Sequence, residues 1–378
     1  MNSMDIQIGN RVIGDDSEIF VIAEIGINHN GKLSEAKKLI DEAAACGADA
    51  VKFQSFRADQ LLISSHDRYI RRCDDQESAY RMLRRYELNF DEQERLKKYA
   101  DRKGIIFMST PFDEESADFL DSMGVPAFKI ASGDITHMPL LRHIAAKGKP
   151  IFLSTGMSFL NEVTDALETL RAYGAEEILL MHCASVYHAT PKDINLRAME
   201  TMRSYFGLPV GLSDHSQGEL FSIMAAAMGA RVIEKHFTLN KAACGPEHRT
   251  SMNPTEMKAL VQSLKDVRAG LGNKGKRPAE SEMEGRRLGR RSIVAAADIR
   301  ANEPIASWML TFKRPGTGLE PKFTEQILGM TARRDIEKDE ILQWDDLMPA
   351  VDFTKHPENF GNSRDMTLDF PYAIENYV

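Results

Sequence analysis

The chain has 378 residues, 43% hydrophobic and 28% charged, enough apolar material for a sizeable core in two or three domains. A net charge of −8 and a pI of about 5.8 argue against a general nucleic-acid or anionic-membrane binder but leave room for a local basic pocket. Cys46, Cys73, Cys183 and Cys244 lie far apart with no CxxC pair. There is no apolar signal core at the N-terminus and no run of membrane-spanning length, so a cytoplasmic enzyme with reduced thiols is expected.

Residues Asp5–Val12, around Gly9, predict a short hairpin. Strand-like and amphipathic stretches then alternate. Strands are expected at Phe20–Ile25, Ala50–Gln54, Ile105–Ser109, Ala127–Ala131, Pro150–Ser154, Ile178–Cys183, Pro209–Ser213 and Val232–His236. Helical stretches between them include Ser34–Cys46, Asp91–Lys103, Glu114–Met123, Pro139–Lys147 and Gln217–Met228. Near-continuous apolar strands joined this way mean a parallel sheet covered on both faces. Roughly eight such units fit an α/β fold of the (β/α)8 TIM-barrel type over residues 1–272. A doubly wound open sheet is the alternative, weakened because no GxGxxG follows the first strand.

Residues 273–289 read as a linker that leads into a basic run, Arg286-Arg287-Leu288-Gly289-Arg290-Arg291, whose plainest reading is a solvated face. Over 290–350, short β-like pieces separated by Gly, Pro and Asn predict a small β-rich module. The extension 351–378 carries Phe353, Phe360, Phe370, Tyr372 and Tyr377, and is expected to dock on a neighbouring surface.

The predicted strand ends are polar. Val232, Glu234 and His236 share one face of their strand, and His215 ends the strand before it. A carboxylate and an imidazole on an apolar strand are costly unless paired or metal-bound. The plainer reading is a pair of hydrogen-bonded histidines. Lys52 with Gln54, and Lys129 on another strand, point inward among Thr110, Ser132, Ser154 and Ser213. Lysines, hydroxyls and backbone N–H groups together make an anion pocket, suited to a small molecule with a phosphate and a carboxylate. Each hydroxyl alone could instead be a helix N-cap. Glu24 is a candidate acid, base or cation stabiliser, or else a salt-bridge partner of Lys52 or Lys129.

The motifs AEIGINHNG (23–31), VKFQ (51–54), STPFD (109–113), FKIASGD (128–134), STGMS (154–158), GLSDHS (211–216) and EKHFTL (234–239) resemble the sialic acid (nonulosonate) synthase family. RRSIVAAADI (290–299) and FKRPGTGLEP (312–321) resemble the antifreeze-like SAF domain that follows the barrel in that family. The resemblance implies condensation of phosphoenolpyruvate with an N-acylated mannosamine-type sugar, C–O cleavage and release of phosphate. It assigns Lys52, Thr110, Lys129, Ser132, Ser154 and Ser213 to phosphoenolpyruvate. His215 and His236 match the ligands of a divalent metal, with Mn2+ expected and Mg2+ or Co2+ as alternatives. Gln54, Ser185, Tyr187, Glu247 and Arg314 match sugar-facing positions, and Glu24 the acidic residue near the reacting carbons. Glu234 joins the catalytic set beside them. The resemblance also implies a domain-swapped homodimer, with Arg314 supplied by the partner chain.

Ser185 stands where the sialic acid branch has Asn, and Glu247 where it has Asp. The acceptor therefore stays open among N-acetylmannosamine, a 2,4-diacetamido-trideoxyhexose and a spore-coat-type sugar. The rival readings are a Schiff-base aldolase using Lys52 or Lys129 and a non-catalytic carbohydrate-binding protein.

Overall fold

The structure is a computed structural model that describes residues 5–63, 78–186 and 189–349. It divides into two compact units, residues 1–273 and 274–378.

The first unit opens with the expected hairpin, β1 (Ile6–Ile8) against β2 (Arg11–Ile13). Eight parallel strands follow: β3 (Phe20–Gly26), β4 (Ala50–Ser55), β5 (Ile106–Pro111), β6 (Phe128–Ile130), β7 (Ile151–Ser154), β8 (Ile178–Cys183), β9 (Val210–Asp214) and β10 (Val232–His236). Their order is β5-β4-β3-β10-β9-β8-β7-β6, and the end strands β5 and β6 lie against each other, so the sheet nearly closes into a barrel. That is the predicted architecture, and the open-sheet alternative falls away.

Each strand is followed by a helix that packs on its outside. Helix Leu33–Cys46 shows the pattern, burying Ala36, Leu39, Ile40 and Ala43 at helical spacing. Asn89 and Asn253 cap Phe90–Lys103 and Pro254–Leu271, each with a glutamate three residues on that completes a capping box. The helix expected from Gln217 begins at Leu220, because Gly218, at φ 72°, is still in the turn.

The barrel interior changes character along its axis. At the N-terminal end Ile6, Ile8 and Ile13 of the hairpin pack against Phe20, Ile22, Phe152 and Val232 and seal it. Two residues further along the same faces come Glu24 and Glu234. Strand alternation thus stacks an apolar plug beneath an ionisable layer, and only the upper end is open for chemistry.

In the second unit β11 (Ser292–Ala295) pairs antiparallel with β12 (Leu310–Lys313), and β13 (Thr331–Ala332) with β14 (Leu347–Met348). Ile293, Ile299, Ile305, Leu319, Ile336 and Leu342 form its core. The predicted linker is not wholly irregular: Met283–Gly289 is a helix. Its arginines Arg286 and Arg287 are exposed, and Glu284 pairs with Arg287 one turn on. Residues 351–378 and Tyr187 lie outside the described residues, as does Cys73. Among the described residues no helix is long and apolar enough to cross a membrane.

Candidate active site

A cavity of about 570 Å³ opens at the carboxyl end of the barrel strands. Its floor is built from inward-facing strand residues, so alternation decides which side chains reach it. Lys52 and Gln54 come from β4, Lys129 from β6, Ser213 from β9, and Glu234 and His236 from β10.

The floor is a compact charge network. Lys52 Nζ lies 2.7 Å from Glu24 Oε2 and 3.7 Å from Glu234 Oε1. It also donates to Thr110 Oγ1 at 3.1 Å. Lys129 donates to Glu234 Oε1 at 3.1 Å, and the Ser213 hydroxyl donates to the same oxygen at 3.0 Å. Glu24 Oε1 accepts from Gln54 Nε2 at 3.2 Å. Two carboxylates and two lysines balance in charge, which is how four ionisable groups stay buried together.

The two carboxylates are nevertheless unlike. Burial raises the Glu24 carboxyl above its usual range, against the pull of Lys52. Burial acts on Glu234 too, but Lys129 and Lys52, with hydrogen bonds from Lys129 and Ser213, outweigh it and hold that carboxyl at about 2. Glu234 is thus a fixed counter-charge, and Glu24 is the member of the pair suited to carry a proton.

None of the hydroxyls at the cavity is spent as a helix cap. The helix after β5 is capped by Asp113, not Thr110, and Phe159 and Glu219, not Ser154 and Ser213, precede the helices after β7 and β9. Ser132 opens a short 3-10 turn, and its Oγ accepts from the Gly156 N–H at 3.0 Å. A Cβ at Gly156 would collide with Ser185 Oγ and Ser132 Oγ, so the bare backbone there lets both hydroxyls face the cavity.

Beside this network His236 is the register partner of Glu24, and the rings of His215 and His236 are 5.2 Å apart, centre to centre. His236 Nδ1 lies 3.4 Å from Glu247 Oε2. Burial, reinforced by His236, lowers His215 to about 4 and keeps it neutral, the form in which imidazole donates to a metal. Two imidazoles turned into one cavity are a chemically apt pair for a divalent ion. Among the described residues no group of three His, Cys, Asp or Glu could close a metal site.

His182 and Cys183 are adjacent at the end of β8, but alternation sends them to opposite faces. Cys183, with Ser185, lines the cavity; His182 Nε2 is 2.7 Å from the Ile194 carbonyl, outside the barrel. Arg314 is an exposed residue of the second unit, at the end of β12. An apolar wall escaped prediction. Ile27, Leu61, Met82, Leu83 and Phe112 line one side of the cavity, and helix Ala79–Tyr86 supplies two of them. That helix lies in the long β4–β5 connection, where a strand-and-helix reading had no repeat to follow.

A barrel whose mouth gathers paired lysines, hydroxyls, an acidic pair and two imidazoles belongs to the class of anion-handling barrel enzymes. Comparison with known proteins narrows this. Residues 39–276 match the NeuB family and residues 290–348 the SAF domain. The chain is 42% identical over 88% of its length to an N,N'-diacetyllegionaminic acid synthase of Legionella pneumophila, covering 95% of that protein. It is 33% identical over 90% of its length to a pseudaminic acid synthase of Campylobacter jejuni, covering 99% of it. A crystal structure of the N-acetylneuraminic acid synthetase of Leptospira borgpetersenii in complex with citrate superposes with a TM-score of 0.69 at 34% identity, over 75% of this chain and 95% of that one. The chain is a member of the NeuB family of nonulosonic acid synthases, with a C-terminal SAF domain.

Proposed function

We propose that the protein condenses phosphoenolpyruvate with an N-acylated amino sugar to give a nonulosonic acid and phosphate, and that the acceptor is a 2,4-diacetamido-trideoxyhexose of the legionaminate type. The observation that carries the reaction is the Lys52–Lys129 pair. Two buried ammonium groups share Glu234 at the floor of a cavity ringed by hydroxyls, and an incoming phosphate and carboxylate have both to bind.

In this reading Lys52, Lys129, Thr110, Ser132, Ser154 and Ser213 hold phosphoenolpyruvate, which lowers the barrier by positioning. Its C3 attacks the sugar aldehyde carbon, forming the new C–C bond as the carbonyl π pair moves onto the aldehyde oxygen as an alkoxide, and leaving positive charge on C2. Glu24 stabilises that charge and accepts a proton from the water that adds there. The tetrahedral intermediate breaks its C2–O bond to phosphate, its C2 hydroxyl proton leaving with the phosphate as the keto group forms, and the proton taken by Glu24 neutralises the alkoxide. A divalent metal held by His215 and His236, Mn2+ first and Mg2+ or Co2+ next, would supply Lewis-acid polarisation of the aldehyde.

The acceptor assignment rests on two features. Identity is higher to the legionaminic than to the pseudaminic synthase. The apolar wall suits the methyl groups of a deoxy, doubly acetylated sugar. Gln54, Ser185 and Glu247, which line the cavity, would hydrogen-bond its polar groups, and the same role is assigned to Tyr187. The reading includes a domain-swapped homodimer in which Arg314 hydrogen-bonds the acyl carbonyl of the other copy's substrate.

Phosphate release from phosphoenolpyruvate with Mn2+ tests the reading, run over N-acetylmannosamine, diacetamido-trideoxyhexoses and arabinose, each with an EDTA control. EDTA-sensitive release with the 2,4-diacetamido sugar is expected. EDTA-resistant turnover with a borohydride-trapped lysine would replace it with Schiff-base chemistry.

A further inference from the structure

Behind the histidine wall, on the outer face of the same two strands, lies a buried charged pair that the reaction does not touch. Lys235 and Asp214 are register partners on β10 and β9, and their side chains are 1% and 0% exposed. Lys235 Nζ donates to Asp214 Oδ2 at 2.8 Å and to the Ser216 carbonyl at 2.6 Å. Asp214 Oδ1 accepts from the Ser216 N–H at 2.8 Å, and Oδ2 accepts from the Ser222 hydroxyl at 2.6 Å.

These bonds converge on two residues of one short stretch. Residues 214 and 216 are both tied down, and His215 lies between them. The ammonium that ties them belongs to the residue just before His236. One buried network therefore fixes the backbone beside both imidazoles. A buried ion pair gains little stability over apolar residues of the same shape. Apolar residues at 214 and 235 would fill the space, but could not hold both the N–H and the carbonyl of Ser216.

We propose that Asp214 and Lys235 are positioning residues that set the orientation of His215 relative to His236, and through it the affinity for a divalent metal. The proposal rests on the reading of the two histidines as metal ligands.

The test uses the full chain and Mn2+ as the probe, with free Mn2+ followed by electron paramagnetic resonance. Asp214→Asn/Lys235→Met removes both charges together and leaves no lone buried charge. Mn2+ binding is expected to weaken about 10- to 100-fold, while phosphoenolpyruvate affinity measured in EDTA stays within about twofold. Wild-type Mn2+ affinity in the folded double variant overturns the proposal. If that variant does not fold, Ser222→Ala serves in its place, since it removes one bond to Asp214 Oδ2. An about threefold weaker Mn2+ affinity is then expected, and an unchanged one overturns the proposal. His236→Ala separates the two layers. If the wild type binds Mn2+, His236→Ala does not and the double variant binds it as tightly as the wild type, only the positioning role fails. If the wild type binds none, the metal reading fails and takes the proposal with it.

Discussion

Glu24 and Lys52 are register partners on neighbouring strands, their charged atoms 2.7 Å apart and their side chains 3% and 4% exposed. Such a pair is worth little against an apolar replacement, but removing one partner strands a buried charge, at about 3–5 kcal/mol. Lys52→Met should therefore lower the unfolding free energy from denaturant titration by an amount of that order, and Lys52→Met/Glu24→Gln should recover most of it. Neither variant should turn over phosphoenolpyruvate. A double variant no more stable than the single would show that the pair is not the reason for the loss.

Glu24→Gln keeps the shape of the side chain and removes its capacity to take a proton. A drop in kcat of about 10²- to 10⁴-fold is expected, with the KM for phosphoenolpyruvate changed only a few-fold because the lysine and hydroxyl set is intact. Steady-state kinetics with varied phosphoenolpyruvate would separate the two. A changed KM at constant kcat would move Glu24 from chemistry to binding.

Gly26 has φ 52°, and a Cβ there would lie 2.8 Å from Glu247 Oε2. Gly26→Ala combines backbone strain with a push on the carboxylate beside His236. The expected result is a kcat/KM for the sugar reduced tenfold or more, with phosphoenolpyruvate affinity near wild type. Equal losses for both substrates would point to general disruption of the barrel mouth.

Ser185 Oγ is 3.3 Å from Cys183 Sγ and close to Gly156, at the edge of the cavity. Ser185→Asn adds bulk where a second acetamido group is proposed to sit. Relative kcat/KM should shift about tenfold towards N-acetylmannosamine. An unchanged ratio across the sugars means that Ser185 does not select the acceptor.

Asp134 is half-buried, and its Oδ2 has no hydrogen-bond partner among the described residues. Burial raises its carboxyl from 3.8 to about 6. The folded state therefore binds more protons than the unfolded one between those values. The stabilisation is complete below about 3.8 and is lost as pH rises through about 6. Asp134→Asn should raise the melting temperature at pH 8 by about 2 °C, a modest figure because solvent screens a partly exposed group. At pH 4 no gain is expected. Melting curves at the two pH values decide, and a gain of equal size at both would exclude this carboxyl as the cause.

The sequence by itself determined the repeat and its polarity. Strands such as Ile178–Cys183 are apolar at nearly every position, and amphipathic stretches such as Leu33–Cys46 carry their own spacing and a stop at Gly47, so local pattern specified both. The inward positions followed from alternation alone, which is why Lys52 and Lys129 were readable as inward-facing and Glu234 and His236 as sharing one face. Tertiary structure decided the pairing. Nothing local says that Lys129 meets Glu234, 105 residues away, or that Lys52 bridges two carboxylates. It also turned His182 outward while its neighbour Cys183 lines the cavity, and brought Met82 and Leu83 into the apolar cluster that lines it. The Asp214–Lys235 network was hidden for the same reason. Its two residues are unremarkable in their own strands, and only the β9–β10 register brings the carboxylate to the ammonium and closes both on the turn that carries His215.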